Sequence, residues 1–489
     1  MTGLELLPVF LAALNVAMVL IGVYNVLYHP REPRAMLAWI LLFLLLPVVG
    51  VVLFFLMSDP KRRRNRRRLA RHRQRLNPTL WRVLHEAQRD FSPQAGPHEL
   101  PSALIKFVRL ATRINDREPP TIGNAVEIYH DRAADSWRAL LNAVAGARHH
   151  VHVEYFIFRA DTTGRKLAAL LLEKAREGVK CRLLLDFMGS WRFPAGLARE
   201  LRAGGVEVVY YMPPLPWLGK RWRLRVNLRN HRKIAVIDGR VAFTGSQNIG
   251  DEYLDASHPL GTRIDTQLRI TGPAVYKFQE VFIEDWHLST GEDLFAEAYF
   301  PPPATADGPG EIVQVIPSGP DYDTRIMHHL LIAAIAAAED SVCIATPYFV
   351  PDTTMVLTLE AAAFRGVRIR ILVPAHSDHV IALWAGRSYY EEMVNAGVGI
   401  YEHVGSFLHS KVAIIDEHWA MVGSANMDER SFRLNFEITT VLYSTGAVTE
   451  LQQAFEGLFA TASPLQNPAP RTRLERLRLG LARLFGPIY

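Results

Sequence analysis

The chain has 489 residues, 49% of them hydrophobic, with formal net charge +6 and mean hydropathy +0.04. That length accommodates two ordinary domains with cores of their own, and the hydropathy excludes a uniformly polar chain, so part of it is expected to meet lipid. The basicity is local: Lys61–Arg73 ("KRRRNRRRLARHR") holds no acid and outweighs the whole excess, which argues against a body built around a broad nucleic-acid groove.

In chain order, Leu4–Tyr28 is uncharged apart from Glu5, and Met36–Met57 carries no charge. About 20 apolar residues span a bilayer, so residues 1–60 read as two transmembrane helices joined by His29–Ala35. The start "MTGLELLP" lacks the basic stretch of a cleaved signal peptide. The cationic run that follows puts the body, and after two crossings the N-terminus too, on the cytoplasmic side beside anionic headgroups. Residues 61–120 form a basic, partly helical connector.

From there, strands alternate with helical patterns, as in α/β folds. His150–Phe158 reads as a strand, Thr163–Glu177 as a helix, and Val179–Phe187 as a strand. The order returns in Ser341–Val350, Thr354–Phe364 and Val367–Pro374, while Gly204–Tyr211 is echoed by Ala396–His403. Pro301–Gly310 ("PPPATADGPG") breaks both helix and strand, so 121–300 and 311–489 are two duplicated halves. Cys181 and Cys343, each in an apolar run, read as reduced thiols with no disulfide framework.

Two segments are not duplicated. Met212–Asn230 interleaves Trp217 and Trp222 with Lys220, Arg221, Arg223, Arg225 and Arg229, which suits a membrane interface or a solvated basic loop. The tail Arg471–Tyr489 puts Leu474, Leu477, Leu481 and Leu484 on one helical face, to lie on the bilayer or to pack on the body.

The sharpest repeat is "HRKIAVIDG" (His231–Gly239) against "HSKVAIIDE" (His409–Glu417). His and Lys two residues apart share one face of a strand. A two-residue turn at Asp238-Gly239 pairs residues whose numbers sum to 477, sets Ser246 opposite His231, and brings Asn248 to the same end. Ser424 and Asn426 stand at the same offsets from His409, while the "DE" of the second copy predicts a different turn. Two lysines and four Ser/Asn donors around two histidines suit one phosphodiester. One imidazole must be neutral to attack while the other is protonated, and the lysines balance the phosphoryl charge, so neither a cofactor nor a metal is required. His149, His150, His152, His328 and His329 read as surface or structural, not as a metal cluster. Asp238 and Asp416, the third members of the motif, fall at the hairpin corners as structural support.

At these residues the chain resembles the phospholipase D superfamily, whose HKD motif is matched by His231, Lys233, Asp238 and by His409, Lys411, Asp416. Ser246, Asn248, Ser424 and Asn426 match the accompanying GSxN. The resemblance implies duplicated α/β/α halves with pseudo-twofold symmetry, one shared site and a phosphohistidine intermediate. By analogy His231 is the nucleophile and His409 the general acid, then base. Asp265 and Glu437 are candidates to orient the imidazoles.

Over nearly its full length the chain is similar to the bacterial cardiolipin synthase family. That likeness implies phosphatidyl transfer between two phosphatidylglycerol molecules, releasing glycerol, at the bacterial inner membrane among anionic lipids, with no nucleic-acid partner. A membrane-bound phospholipase D-type hydrolase, a membrane-tethered nuclease and a catalytically dead phosphate-binding scaffold remain as alternatives.

Overall fold

The computed structural model describes residues 3–28, 33–57, 102–116, 118–213, 227–254, 262–303, 310–322, 325–465, 472–484 and 486. The cationic run Lys61–Arg73 and Trp217, Lys220, Arg221, Trp222, Arg223 and Arg225 lie outside them.

The N-terminal part holds α1 (Gly3–Tyr28), α2 (Pro33–Leu45) and α3 (Pro47–Met57). The continuous second span read from Met36–Met57 is therefore corrected. Pro47 has no N–H to carry one helix through, and the chain folds back there, so that Phe54 of α3 packs on Trp39 and Phe43 of α2 at ring distances of 5.3 and 5.5 Å. At 1.5 Å rise per residue neither short helix approaches the roughly 30 Å of a hydrocarbon core. Among the described residues no helix is long and apolar enough to cross a membrane.

After α4 (Ser102–Ile114), the first half runs β1 (Thr121–His130), α5 (Ala133–Ala145), β2 (His150–Tyr155), α6 (Thr162–Arg176), β3 (Lys180–Asp186), α7 (Ala195–Ala203), β4 (Glu207–Tyr211), β5 (Lys233–Ile237), β6 (Val241–Gly245), β7 (Thr266–Thr271) and α8 (Val275–Thr290). The second half repeats it as β8 (Glu311–Ser318), α9 (Ile326–Ala337), β9 (Ser341–Ala345), α10 (Thr353–Phe364), β10 (Arg368–Pro374), α11 (Val380–Asn395), β11 (Gly399–His403), β12 (Val412–Ile415), β13 (Trp419–Gly423), α12 (Glu429–Arg433), β14 (Glu437–Leu442) and α13 (Thr445–Thr461). β15 (Ser463–Pro464) and α14 (Arg473–Leu484) follow.

These fifteen strands join one sheet, ordered β15-β11-β10-β9-β12-β13-β14-β8-β1-β7-β6-β5-β2-β3-β4. Apart from the extra edge strand β15, the order reads the same outward from the β8·β1 junction, where Thr121 faces Val313 and Asn124 faces Glu311 in antiparallel pairing. This is a pseudo-twofold, three-layer α/β/α arrangement. The apolar stretches inside the repeated motif show why: successive strand residues face opposite sides. Ile234 and Val236 of β5, with Val412 and Ile414 of β12, enter one core shared by both halves together with Phe278 of α8 and Phe455 of α13. Ala235 and Ile237 face the first half's outer core, and Ala413 and Ile415 the second's. The strand-to-helix turns are duplicated too: Asp161 caps α6 by accepting from Gly164 N, and Asp352 caps α10 by accepting from Met355 N.

The hairpin register differs by one from expectation. Ile234 faces Thr244 and Ile237 faces Val241, so the loop holds three residues, Asp238-Gly239-Arg240. The second hairpin has the same register, with Val412 opposite Val422 and Ile415 opposite Trp419. The "DE" departure therefore produces no different turn. Glu417 instead takes the left-handed conformation, φ 59°, that Gly239 occupies at φ 63°. A Cβ on Gly239 would also lie 2.5 Å from Tyr299 O, whereas Glu417 is exposed.

Each turn is tied down by its aspartate. Asp238 accepts from the amides of Arg148, His149 and His150 at 2.8, 2.8 and 2.9 Å, and Asp416 from Glu339, Asp340 and Ser341 at 2.9, 2.8 and 2.8 Å. Glu417→Gly relieves a left-handed non-glycine residue and is expected to raise stability by about 0.5–1 kcal/mol. Asp416→Ala strands three amide donors and is expected to lower it by about 1–3 kcal/mol. Denaturant midpoints of the two variants in detergent would move in opposite directions.

Candidate active site

His231 and Lys233 stand at the start of β5, and His409 and Lys411 at the start of β12, the ends of these strands opposite to Asp238 and Asp416. The chain just before each histidine leaves its own half. His231 N donates to Phe436 O at 2.9 Å and Phe436 N to Arg229 O at 2.8 Å, while His409 N donates to Ile264 O at 2.9 Å and Phe407 N to Thr262 O at 3.1 Å. Each histidine therefore lies beside the strand that carries the other half's acid.

The side chains complete this crossing. His231 Nδ1 donates to Glu437 Oε2 at 2.9 Å, and His409 Nδ1 to Asp265 Oδ1 at 2.7 Å. Both carboxylates are buried, Glu437 at 0% and Asp265 at 2% exposure. A hydrogen bond from Nδ1–H to a carboxylate fixes the tautomer and leaves Nε2 with its lone pair. Each acid thus serves the imidazole of the opposite half.

The lysines point the same way. Lys233 Nζ donates to His231 O at 2.6 Å and Lys411 Nζ to His409 O at 2.7 Å. Burial lowers both below the ordinary lysine range, Lys233 to about 7 and Lys411 to about 8, with Glu437 and Asp265 opposing the drop. Burial likewise brings His231 down to about 4, against the pull of Glu437. It brings His409 to about 3, with Lys411 adding to the drop and Asp265 opposing it. Asp265 is held at about 2 despite its burial, because His409, Lys411 and Ser246 all favour the carboxylate. Lys411 also acts on His231 and on Lys233, so the two motifs share one electrostatic environment.

The GSxN serines, expected at the phosphate, hydrogen-bond to the buried acids. Ser246 Oγ is fully buried and donates to Asp265 Oδ1 at 2.6 Å, and Ser424 Oγ donates to Glu437 Oε2 at 2.6 Å. A hydroxyl at the end of each strand is spent on the adjacent buried acid, and steadies the carboxylate that steadies the imidazole. Asn248 accepts from Ile157 N at 3.2 Å and donates to Tyr253 Oη at 2.7 Å. Asn426 Oδ1 has no partner among the described residues and lines a small cavity with Lys411.

Arg229, read with the interfacial loop, is instead buried against Asp186 at 3.4 Å. His150 and His152 are also buried and share Gln279, at 3.1 and 2.8 Å.

Sequence reasoning missed the walls of the site. Phe156 stands edge-on to His231 at 4.8 Å, and Tyr253 and Phe407 flank His409, each at 5.9 Å. Arg263 lies over Tyr253 and Phe407 at 4.8 and 5.0 Å and reaches Asp378 across the halves at 3.2 Å, with Tyr348 Oη donating to the same carboxylate at 2.6 Å. No spacing rule links these residues; Arg263, two places before Asp265, and Phe407, two before His409, lay near marked positions. The arrangement provides two neutral imidazoles and two buried amines that an anion would charge, a set that can bind a phosphodiester and exchange its ester oxygen.

Comparison with known proteins follows the same lines. A family profile described as "Cardiolipin synthase, PLD-like domain" matches residues 140–286 and 331–459, and one described as "Phospholipase_D-nuclease N-terminal" matches residues 13–58. The chain is 40% identical over 396 residues to a cardiolipin synthase of Geobacillus thermodenitrificans, covering 80% of this chain and 77% of that one. It is 37% identical over 446 residues to a cardiolipin synthase of Alkalihalophilus pseudofirmus, covering 89% and 85%. The fold is similar to the crystal structure of a phosphatidylserine synthase from Haemophilus influenzae, with a TM-score of 0.59 at 13% identity over 78% of this chain and 100% of that chain.

Because burial brings Lys233 and Lys411 down to about 7 and about 8, an anion that favours their charged forms is taken up with protons at alkaline pH. Calorimetric titration with a soluble phosphodiester such as diethyl phosphate is expected to show net proton uptake at pH 8 and affinity that falls as pH rises from 6.5 to 9. An affinity independent of pH over that range would contradict the assignment of both lysines to the anion site.

Proposed function

The chain belongs to the phospholipase D-like cardiolipin synthase family, and on that premise we propose that it transfers a phosphatidyl group from one phosphatidylglycerol to another, giving cardiolipin and glycerol. The observation that carries this reading is the crossed pairing of His231 with Glu437 and of His409 with Asp265, which makes one site out of two motifs.

His231 Nε2 attacks the phosphorus of the donor lipid. The P–O bond to its headgroup glycerol breaks, and His409, protonated once the anion is bound, gives its proton to the departing oxygen. The terminal hydroxyl of the second phosphatidylglycerol then attacks the phosphohistidine. His409 takes the hydroxyl proton, the P–N bond breaks and cardiolipin leaves. Lys233, Lys411 and Asn426 hold the phosphoryl oxygens, while Glu437, Asp265, Ser246 and Ser424 keep the imidazoles in place. Asp238 and Asp416 hold the turns. Phe156, Tyr253 and Phe407 line the imidazoles with apolar surface, which disfavours water as the competing acceptor.

The substrates are membrane lipids, and the proposed location is the bacterial cytoplasmic membrane with the body on its cytoplasmic side. The N-terminal helices are the anchor. Phe10, Leu14, Leu20, Leu41, Leu45 and Val49 are all exposed there, a density of outward apolar side chains that water does not favour. Because the segment after α1 is folded at Pro47, the anchor is not the pair of straight spans read from the sequence. The full chain is expected to stay in the pellet when membranes are extracted with alkaline carbonate; release into the supernatant would remove the anchor from this reading.

Phosphatidylglycerol supplied in mixed micelles should yield cardiolipin and glycerol. Phosphatidic acid as the main product would make the protein a hydrolase, and the absence of lipid turnover would defeat both. His231→Ala and His409→Ala are each expected to lower turnover by at least about 10³-fold, and full activity in either variant would refute a single shared site.

A further inference from the structure

Helix α14 is mounted back to front. Its Ala482 is buried in the second half's core, Arg483 stacks over Tyr389 at 4.0 Å and pairs with Glu392 at 3.3 Å, and a Cβ on Gly486 would meet Val350 at 3.2 Å. At 100° per residue, Leu479, Ala482 and Arg483 form one face of α14, and this face is seated on α11, with Gly486 beyond the helix end. Leu474, Leu477, Leu481 and Leu484 lie on the opposite face, exposed at 56, 59, 50 and 73%. An amphipathic helix that docks through its small and polar side while presenting its leucines outward has not used its apolar face for folding.

Charge and neighbours indicate what that face meets. Arg473 and Arg478 flank the leucine row on its two sides, and both are exposed. The helix runs antiparallel to α11: Arg483 lies at Tyr389 and Glu392, while Gly486 lies at Val350, beside Gly386, whose added Cβ would stand 2.9 Å from Phe349 O. Its C-terminal end therefore points toward the first turns of α11. There Val380, Ile381 and Trp384 are exposed, directly after Asp378, the residue that holds Arg263 beside His409. Outward leucines bordered by arginines, leading toward the rim of the active site, match the surface of an anionic bilayer, with acyl chains for the leucines and phosphates for the guanidinium groups.

We propose that α14 and the first turns of α11 are a membrane-docking surface for anionic phospholipid, separate from the N-terminal helices, that sets the His409 side of the site against the bilayer. The proposal deepens the lipid-transfer reading and rests on it for the identity of the surface.

The test uses the full chain reconstituted into vesicles, with Leu477→Cys carrying an environment-sensitive fluorophore. Glu173→Cys on α6 is the reference, and the unlabelled parent treated identically accounts for any reaction of Cys181 and Cys343. In vesicles containing phosphatidylglycerol the Leu477 probe is expected to shift its emission to the blue and to be quenched by nitroxide on the acyl chains. The effect should weaken in pure phosphatidylcholine, and the Glu173 probe should stay water-like. A water-like Leu477 probe in phosphatidylglycerol vesicles overturns the proposal, as does a probe that becomes shielded in detergent as protein concentration rises, which would assign the leucines to a second copy of this chain. Lipid turnover measured in the same vesicles separates the two readings. Turnover with a water-like probe removes the docking surface and leaves the enzyme, whereas a membrane-embedded probe without turnover does the reverse.

Discussion

The two hydrogen bonds that cross between the halves, His231 to Glu437 and His409 to Asp265, are the constraint on which the rest of the site depends. Neither half holds both an imidazole and the acid that orients it. Taking two carboxylates and two lysines out of water is costly unless each finds a partner, and here the imidazole partner of each carboxylate comes from the other half. The continuous sheet through β8 and β1 and the core shared by α8 and α13 provide the stiffness that keeps those partners aligned. A site built in this way has little freedom to relax, which suits chemistry in which one imidazole attacks while the other handles the proton.

Duplication has been followed by divergence at informative places. The residue between His and Lys is Arg232 in the first copy and Ser410 in the second. Arg232 is buried, pairs with Asp285, and donates to Glu437 O at 3.1 Å and Ser318 O at 3.3 Å, both in the other half. Ser410 reaches across too, donating to Ile264 O at 3.0 Å and accepting from Thr266 Oγ1 at 3.0 Å. Both side chains clamp the backbone next to the acid that the neighbouring histidine uses. The acids differ as well, Glu437 on one side and Asp265 on the other, so the two imidazoles sit in similar but unequal surroundings. That inequality gives a physical basis for the different roles proposed for the two histidines.

The apolar surfaces follow another logic. In the body, apolar side chains are spent on the cores, strand residue by strand residue. In α1 to α3, outside the small cluster around Val26, Phe43 and Phe54, and along the leucine row of α14, they face outward. A helix such as α14, fixed by Ala482 and Arg483 with its leucines exposed, gains nothing from those leucines in water.

Much of the fold was legible in the chain itself. The IAVI and VAII stretches declared buried strands because alternate residues had to face two apolar layers, and the identical spacing of His, Lys, Asp, Ser and Asn declared the duplication. Local chemistry also placed Asp238 and Asp416 at hairpin corners. What the sequence left open was whatever depends on distance through space. The third loop residue at each hairpin came from left-handed backbone at Asp238 and Asp416. That Ser246 and Ser424 donate to Asp265 and Glu437 was not legible, because which buried carboxylate lies nearest a hydroxyl depends on packing. Asp265 and Glu437 were visible as candidates, but that each would serve the opposite half could be decided only by the tertiary structure, since the contacts join residues 144 and 206 apart in the chain. The sequence by itself determined the strands and the reactive groups; the packing of one half on the other decided which groups meet, because a hydrogen bond depends on position in space and not on order along the chain.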